Sequence, residues 1–290
     1  MAEKTRADLV EEVARRFGHY ASGTATGGST TTLEDTGGLY APDDYWNGHY
    51  LYIVEDAGGA GAAPEGEERP VTDYVQSTAT LTVSPAFSAA AGAGDAYELL
   101  AVRRGDVVAM INSAIRLAGE TWLVSKNDDS TVDLADDDYD YDLPTDLVRL
   151  LGVWMRGDTD EPWEPVDGRT WRVAETPGGQ ELVFDTLSGL DEDDTIRLEY
   201  LARPSELAAD DGTLGVGEPA EWELVEFVVA EALFLLHDQA ASGAPEAAGF
   251  RAHLTQAQYW KEEMERIRGS AGRFHGRGTV RGGRWARSRG

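Results

Sequence analysis

The stretch EFVVAEALFLL, Glu226 to Leu236, governs how the rest of the chain is read. Past Glu226 it is apolar almost all round, interrupted only by Glu231. A helix with a single apolar stripe lies on a surface, whereas one that is apolar on every side belongs inside a helical layer. Spanning a membrane takes about 20 apolar residues. This run is far shorter, so no membrane partner is expected. Pro219 suits the first turn of the same helix, which should reach about Gln239. A second helix follows SGAPE, from about Glu246 to Ile267. In it Phe250, Leu254, Ala257, Trp260, Met264 and Ile267 recur at spacings of three and four.

Two earlier segments read as partners of this hairpin. Thr5 is an N-cap with Asp8 three residues on, and Leu9, Val10, Val13 and Phe17 make one stripe ending at Gly18, which predicts a helix over 6–17. Asp106 can cap another helix through roughly Ala118, with Val107, Met110, Ile111, Ala114, Ile115 and Ala118 on its buried side.

Between these helices the texture is β. HYLYIVEDAG (49–58), RPVTDYVQS (69–77), ATLTVSPAF (79–87) and GDAYELL (94–100) are β-branched and aromatic runs bounded by Gly, Pro and Asp. AGGAGAAPEGEE (57–68) reads as a loop tip. Because the flanking helices can pack without it, this module is expected to be peripheral. Further strands are read in TWLVS, YDLPTDLVRLLGVWM, GRTWRVAE, QELVFDT and DTIRLEYLA. The expected fold class is α+β: a helical core (1–18 and 101–120, with a hairpin over 205–268), an inserted β module (19–100), a β domain (121–204) and an extended basic arm (269–290).

No catalytic, cofactor-binding or metal-binding residue is assigned. ADDDYDYD (135–142) places Asp136, Asp138 and Asp140 at positions 1, 3 and 5 of a calcium loop. Position 6 is then Tyr141 where Gly is needed, and position 12 is Leu147 where Glu is needed. DEDD (191–194) reads as a turn rim. His19, His49, His237, His253 and His275 are scattered, with no metal-ligand spacing among them. The sequence lacks HExxH, GxSxG, GxxxxGK[ST] and a GxGxxG after a strand. It also has no cysteine, which excludes thiolate chemistry and disulfides.

The formal charge is −28, carried by 53 acids against 25 bases, of which 22 are arginine. ERIRGSAGRFHGRGTVRGGRWARSRG (265–290) runs against this trend. Past Glu265 it holds no acid and eight arginines: Arg266, Arg268, Arg273, Arg277, Arg281, Arg284, Arg287 and Arg289. Without them residues 1–265 carry −36. So acidic a body is a poor grip for phosphate. Phe274, Val280 and Trp285 stand between the arginines as apolar anchors, a pattern that suits docking on a protein groove. Arginine pairs bidentately with carboxylates, as an interface requires.

ATLTVSPAF, GDAYELL, a helix and then YDLPTDLVRLLGVWM, with Y-D-L-P-x-D at Tyr141 to Asp146, resemble the neck adaptor (head–tail connector, head-completion) proteins of tailed phages and tailed archaeal viruses. The resemblance implies a non-enzymatic structural virion protein without cofactor. It would be assembled in the host cytoplasm and located in the virion neck as a homo-oligomeric ring, a dodecamer, beneath the portal protein. It further implies an arm at 268–290 that grips the portal, a next neck or tail protein below, and genomic DNA passing through the channel without specific binding. The β insert departs from a minimal adaptor. The alternatives are another tail or baseplate component, an acidic halophile enzyme, and a nucleic-acid binder acting through the arginine-rich tail.

Overall fold

Helix α1 (Arg6–Phe17) forms where its cap predicts. The Asp8 N–H donates to Thr5 Oγ1 at 3.2 Å, and the Thr5 N–H donates to the Asp8 carboxylate at 2.9 Å. Two otherwise unpaired backbone donors are satisfied reciprocally. Leu9, Val10, Val13 and Ala14 are buried, and the Gly18 N–H closes the last turn on the Ala14 carbonyl. The computed structural model describes residues 3–119, 121–135, 138–186, 190–191, 194–215, 220–243 and 250–275. Within these the protein is α+β, with four helices and fourteen strands, all antiparallel where paired.

After α1 come β1 (Tyr20–Thr24), β2 (Gly27–Gly28), β3 (Thr32–Glu34), β4 (Tyr50–Glu55), β5 (Glu68–Val75), β6 (Thr80–Val83) and β7 (Ala96–Leu100). Helix α2 (Arg104–Ala118) follows, then β8 (Val124–Asp128), β9 (Asp140–Asp142), β10 (Leu147–Arg156), β11 (Glu164–Pro165), β12 (Trp171–Thr176), β13 (Gly179–Phe184) and β14 (Thr195–Ala202). Helices α3 (Ala220–Gly243) and α4 (Phe250–His275) complete the described chain. The chain divides into two compact units. One draws on 2–114, 207–213 and 223 onwards, the other on 115–206 and 214–222.

In the first unit seven strands are ordered β1-β7-β4-β5-β6-β3-β2. The two edge strands follow one another with only Ala25 and Thr26 between them, so the sheet must curl round on itself. Ala25 spans the gap by donating to Asp95, and Thr26 donates to Glu34. β5 is the corner strand: its first residues pair with β4, its later ones with β6, and a register shift falls between Val71 and Asp73. Alternate residues point inward, as the pleat requires. Leu51, Ile53, Val71, Tyr74, Leu81, Val83, Tyr97 and Leu99 form the barrel core with Leu33, Trp46 and Phe87. The sequence reading located β4 to β7 but no strand in YASGTATGGSTTTLE, where Gly, Ser and Thr leave almost no apolar alternation to detect.

A buried hydroxyl–carboxylate pair closes the barrel. Tyr97 donates to Asp35 Oδ2 at 2.8 Å, while the Gly37 and Gly38 N–H groups donate to Asp35 Oδ1, each at 2.9 Å. Burial first, then this bond, pushes the Tyr97 hydroxyl pKa upward. A Cβ on Gly23 would stand 2.7 Å from Asp35 Oδ2 and 2.9 Å from the Tyr97 hydroxyl, so the position admits nothing larger than glycine.

Helix α3 is buried almost throughout, from Leu224 to Leu236. It extends to Gly243, past the Gln239 expected, and Pro219 lies outside the described residues. α2 begins at Arg104, two residues before the expected cap, and Asp106 falls in its first turn. No described helix is long and apolar enough to cross a membrane.

In the second unit the sheets β11-β10-β14-β8 and β12-β13-β9 share one core, which includes Tyr141, Leu143, Val153, Leu182, Phe184, Ile196, Leu198 and Tyr200. YDLPTDLVRLLGVWM is therefore not one strand but the corner between the two sheets, β9 in one and β10 in the other. Pro144 forces the turn, since the residue before proline is held extended, and the Leu147 N–H closes it on the Pro144 carbonyl at 3.0 Å. Asp146 accepts from Lys126 Nζ at 2.7 Å and from the Tyr200 hydroxyl at 3.3 Å. Burial, then this carboxylate, pushes the Tyr200 pKa up to about 12. Asp136 and Asp137 lie outside the described residues. Asp191 and Asp194 close a turn on each other, the Asp191 N–H donating to the Asp194 carboxylate at 2.8 Å.

Candidate interaction surface

Side chains able to do acid–base chemistry are plentiful here. A wide cleft of about 630 Å³ in the second unit is lined by Arg116, Asp146, Arg203 and Glu206, among others. Arg116 donates to Glu206 at 2.8 Å, and Asp146 is held by Lys126. Among the described residues no three His, Cys, Asp or Glu side chains gather as metal ligands would.

The first unit is joined internally by one arginine that the sequence reading did not single out. Arg104 is 6 % exposed. Its Nε donates to Glu98 Oε2 at 3.0 Å, its Nη2 to Asp210 Oδ1 at 2.9 Å, and its guanidinium lies over the Tyr52 ring at 4.5 Å. Its backbone N–H donates to Glu68 at 2.6 Å. Arg6 completes the arrangement, bonding Asp210 through Nε at 2.8 Å and the carbonyls of Leu207 and Ala208 through Nη1. Barrel, α1, α2 and the 207–213 segment thus converge on one buried charge. The barrel's own Glu98, Glu68 and Tyr52 surround the start of α2, a set of contacts the expectation of a peripheral module did not include. Burial and then the bonds from Arg104 and Arg6 set the Asp210 carboxyl, with a net lowering below its ordinary pKa.

The histidines, scattered in sequence, converge in space. His237 and His253 approach Nδ1 to Nδ1 at 3.0 Å, and both rings stack on Phe17, at 4.5 and 5.9 Å between centroids. Two residues on, His19 meets the Tyr45 hydroxyl at 2.6 Å and the His49 ring at 6.0 Å, while Trp46 packs edge-on against His49 at 5.1 Å. Burial pushes the His49 pKa down. The side chain of His275 lies outside the described ones. Sequence spacing could not find these pairs, because α3, α4, the junction after α1 and a barrel loop each supply one histidine.

The expected arm begins inside a helix. α4 continues to His275, eight residues beyond Ile267, so Arg268, Arg273 and Phe274 lie on helical backbone. Gly269 does not end it: a glycine without positive φ costs a helix only about 1 kcal/mol. Arg266 is exposed and paired with Glu263, its Nε at 2.9 Å. Arg268 is half-buried and acts on the buried Glu231, whose pKa is pushed up by desolvation against that attraction. Arg277, Val280, Arg281, Arg284, Trp285, Arg287 and Arg289 lie outside the described residues.

On α4, Ala257, Met264 and Ile267 are buried as the periodicity requires, but Leu254 is 40 % and Tyr259 55 % exposed. On α3, Trp222 is 63 % exposed. Large apolar groups therefore stand in solvent on both long helices.

No curated protein matches the chain. The family model described as SU10 adaptor protein matches residues 86–284, from the segment before β7 through α2, both sheets of the second unit, α3 and α4 into the arginine-rich end. By that match, over more than half its length, the chain belongs to the SU10 adaptor protein family.

Proposed function

We propose that the chain is a structural adaptor of the virion neck, assembled as a ring of identical copies beneath the portal and joining capsid to tail. The observation that carries the reading is the family match over residues 86–284. The arginine-rich segment begins within the last turns of α4 and continues past it, and beyond His275 only glycine, small residues and apolar anchors stand between its charges, which supports a role in gripping a neighbouring ring. In a ring such arms act together, and multivalency turns weak single contacts into a durable joint. The net charge of −36 on residues 1–265 supports a channel wall along which DNA slides without adhering. The next neck or tail protein would bind on the ring's opposite side. Negative-stain imaging with native mass measurement tests the reading: it predicts a closed ring with a central hole, and a monomer or dimer at micromolar concentration would count against it.

A further inference from the structure

The contact between His237 and His253 has a strict protonation requirement. Two Nδ1 atoms at 3.0 Å form a hydrogen bond only when one carries a proton and the other presents a bare lone pair. The bond survives one added proton, because a cationic ring still donates to the bare Nδ1 of a neutral one; only when both rings are cationic does N–H face N–H, with the ring centroids 5.3 Å apart. The ring that would have to accept this is almost sealed: His237 is 3 % exposed. Both rings lean on Phe17, so the bond fastens the far end of α3 and the start of α4 to the last turn of α1.

We propose that the His237–His253 pair is a pH-operated latch, closed while a single proton lies between the two Nδ1 atoms and opened when the sealed His237 takes up a proton of its own, so that each Nδ1 carries one. The surroundings favour this. α1 contributes the apolar Phe17, and its neighbouring cation Arg16 is occupied by Glu12 and Glu226. The sequence neighbours Asp238 on α3 and Arg251 on α4 are exposed. His19, from the junction after α1, is bonded to Tyr45. Among the described residues His253 is the titratable group that acts electrostatically on His237, and no carboxylate offsets it. Burial, then that neighbour, brings His237 down to about 4 from its ordinary 6.5. The closed state therefore binds protons more weakly than the open one. Its stability is complete above about pH 6.5 and is lost progressively as pH falls toward 4.

Hydrogen exchange read by mass spectrometry on the full chain, corrected for the intrinsic pH dependence of exchange, follows the peptides covering 233–243 and 250–257. Between pH 7.5 and 5.0 one proton taken up with these affinities raises the opening constant about 30-fold. His237→Phe keeps a ring against Phe17 and removes the sealed titrating group, so its response should fall below about threefold. An equal response in both proteins overturns the latch. If the variant does not fold, a ring-nitrogen NMR titration of the wild type decides instead. A histidine still neutral at pH 5, joined by one shared proton, supports the latch, and all histidines titrating near 6.5 contradict it.

Discussion

Arg104 Nη2 lies 2.9 Å from Asp210 Oδ1, while the Nε of the same guanidinium reaches Glu98 at 3.0 Å. A strand of the barrel and a segment more than a hundred residues later in the chain are thereby tied through one buried cation. Removing Arg104 strands the buried Glu98 without its counter-charge, which costs about 3–5 kcal/mol, while Asp210 keeps Arg6. Arg104→Met should lower stability by that order in urea unfolding. Arg104→Met with Glu98→Gln should recover part of it, because the stranded carboxylate is gone. The lowered pKa of Asp210 adds a direction: the stability it confers is present above the ordinary carboxylate range and is lost as pH falls through its depressed value.

Deleting residues 47–94 should not leave a folded helical core. The deletion removes Tyr52 and Glu68 from the start of α2 and breaks the barrel that presents Glu98. The shortened chain should be insoluble or lack a cooperative thermal transition. A soluble product with wild-type helix content by circular dichroism would return the barrel to the status of a dispensable module.

Gly23→Ala should destabilise the first unit by about 1–3 kcal/mol, since its methyl would collide with the Asp35–Tyr97 pair. Tyr97→Phe keeps the ring and removes the donor, and should cost about 1–2 kcal/mol because Asp35 retains the Gly37 and Gly38 N–H groups. Chemical denaturation of both variants checks the order.

Thr5→Ala removes the cap of α1 and should cost about 1 kcal/mol. The bond from the Thr5 backbone is the main cause of the lowered Asp8 pKa. Asp8 therefore stabilises α1 above the ordinary carboxylate range, and that support is lost as pH falls through its lowered value. Melting temperatures of Asp8→Asn and wild type should converge at acid pH. A constant gap between them would contradict the capping box.

Much of this fold is legible in local sequence. Thr5 and Asp8 mark the start of α1 because both halves of a capping box lie within four residues. β4 to β7 announce themselves through alternation, and the apolar girth of Phe227 to Leu236 places α3 inside. What escaped reading depends on distance or on missing contrast. β1 to β3 are built from Gly, Ser and Thr, which fit a barrel wall without showing a buried face. α4 runs past the expected Ile267 to His275 because the apolar stripe stops before the helix does, and Gly269, whose φ stays out of the left-handed region, does not end it. Arg104 carries no local signal in the sequence, and only the approach of Glu98, Asp210 and Tyr52 makes it central. The histidine pairs need three helices and a loop to meet, which no spacing rule encodes.

Co-sedimentation with purified portal particles tests the proposed grip of a portal ring by the C-terminal segment. The full chain, a truncation after His275, Trp285→Ala and Arg289→Ala would be compared, with DNA binding measured at matched salt. A buried aromatic anchor is worth about 1.5–3 kcal/mol, whereas an exposed terminal charge pair contributes about 0–1 kcal/mol. The account predicts that the truncated protein folds but no longer sediments with portals, and that Trp285→Ala weakens joining more than Arg289→Ala. A truncated protein that joins portals normally while losing affinity for DNA would contradict it.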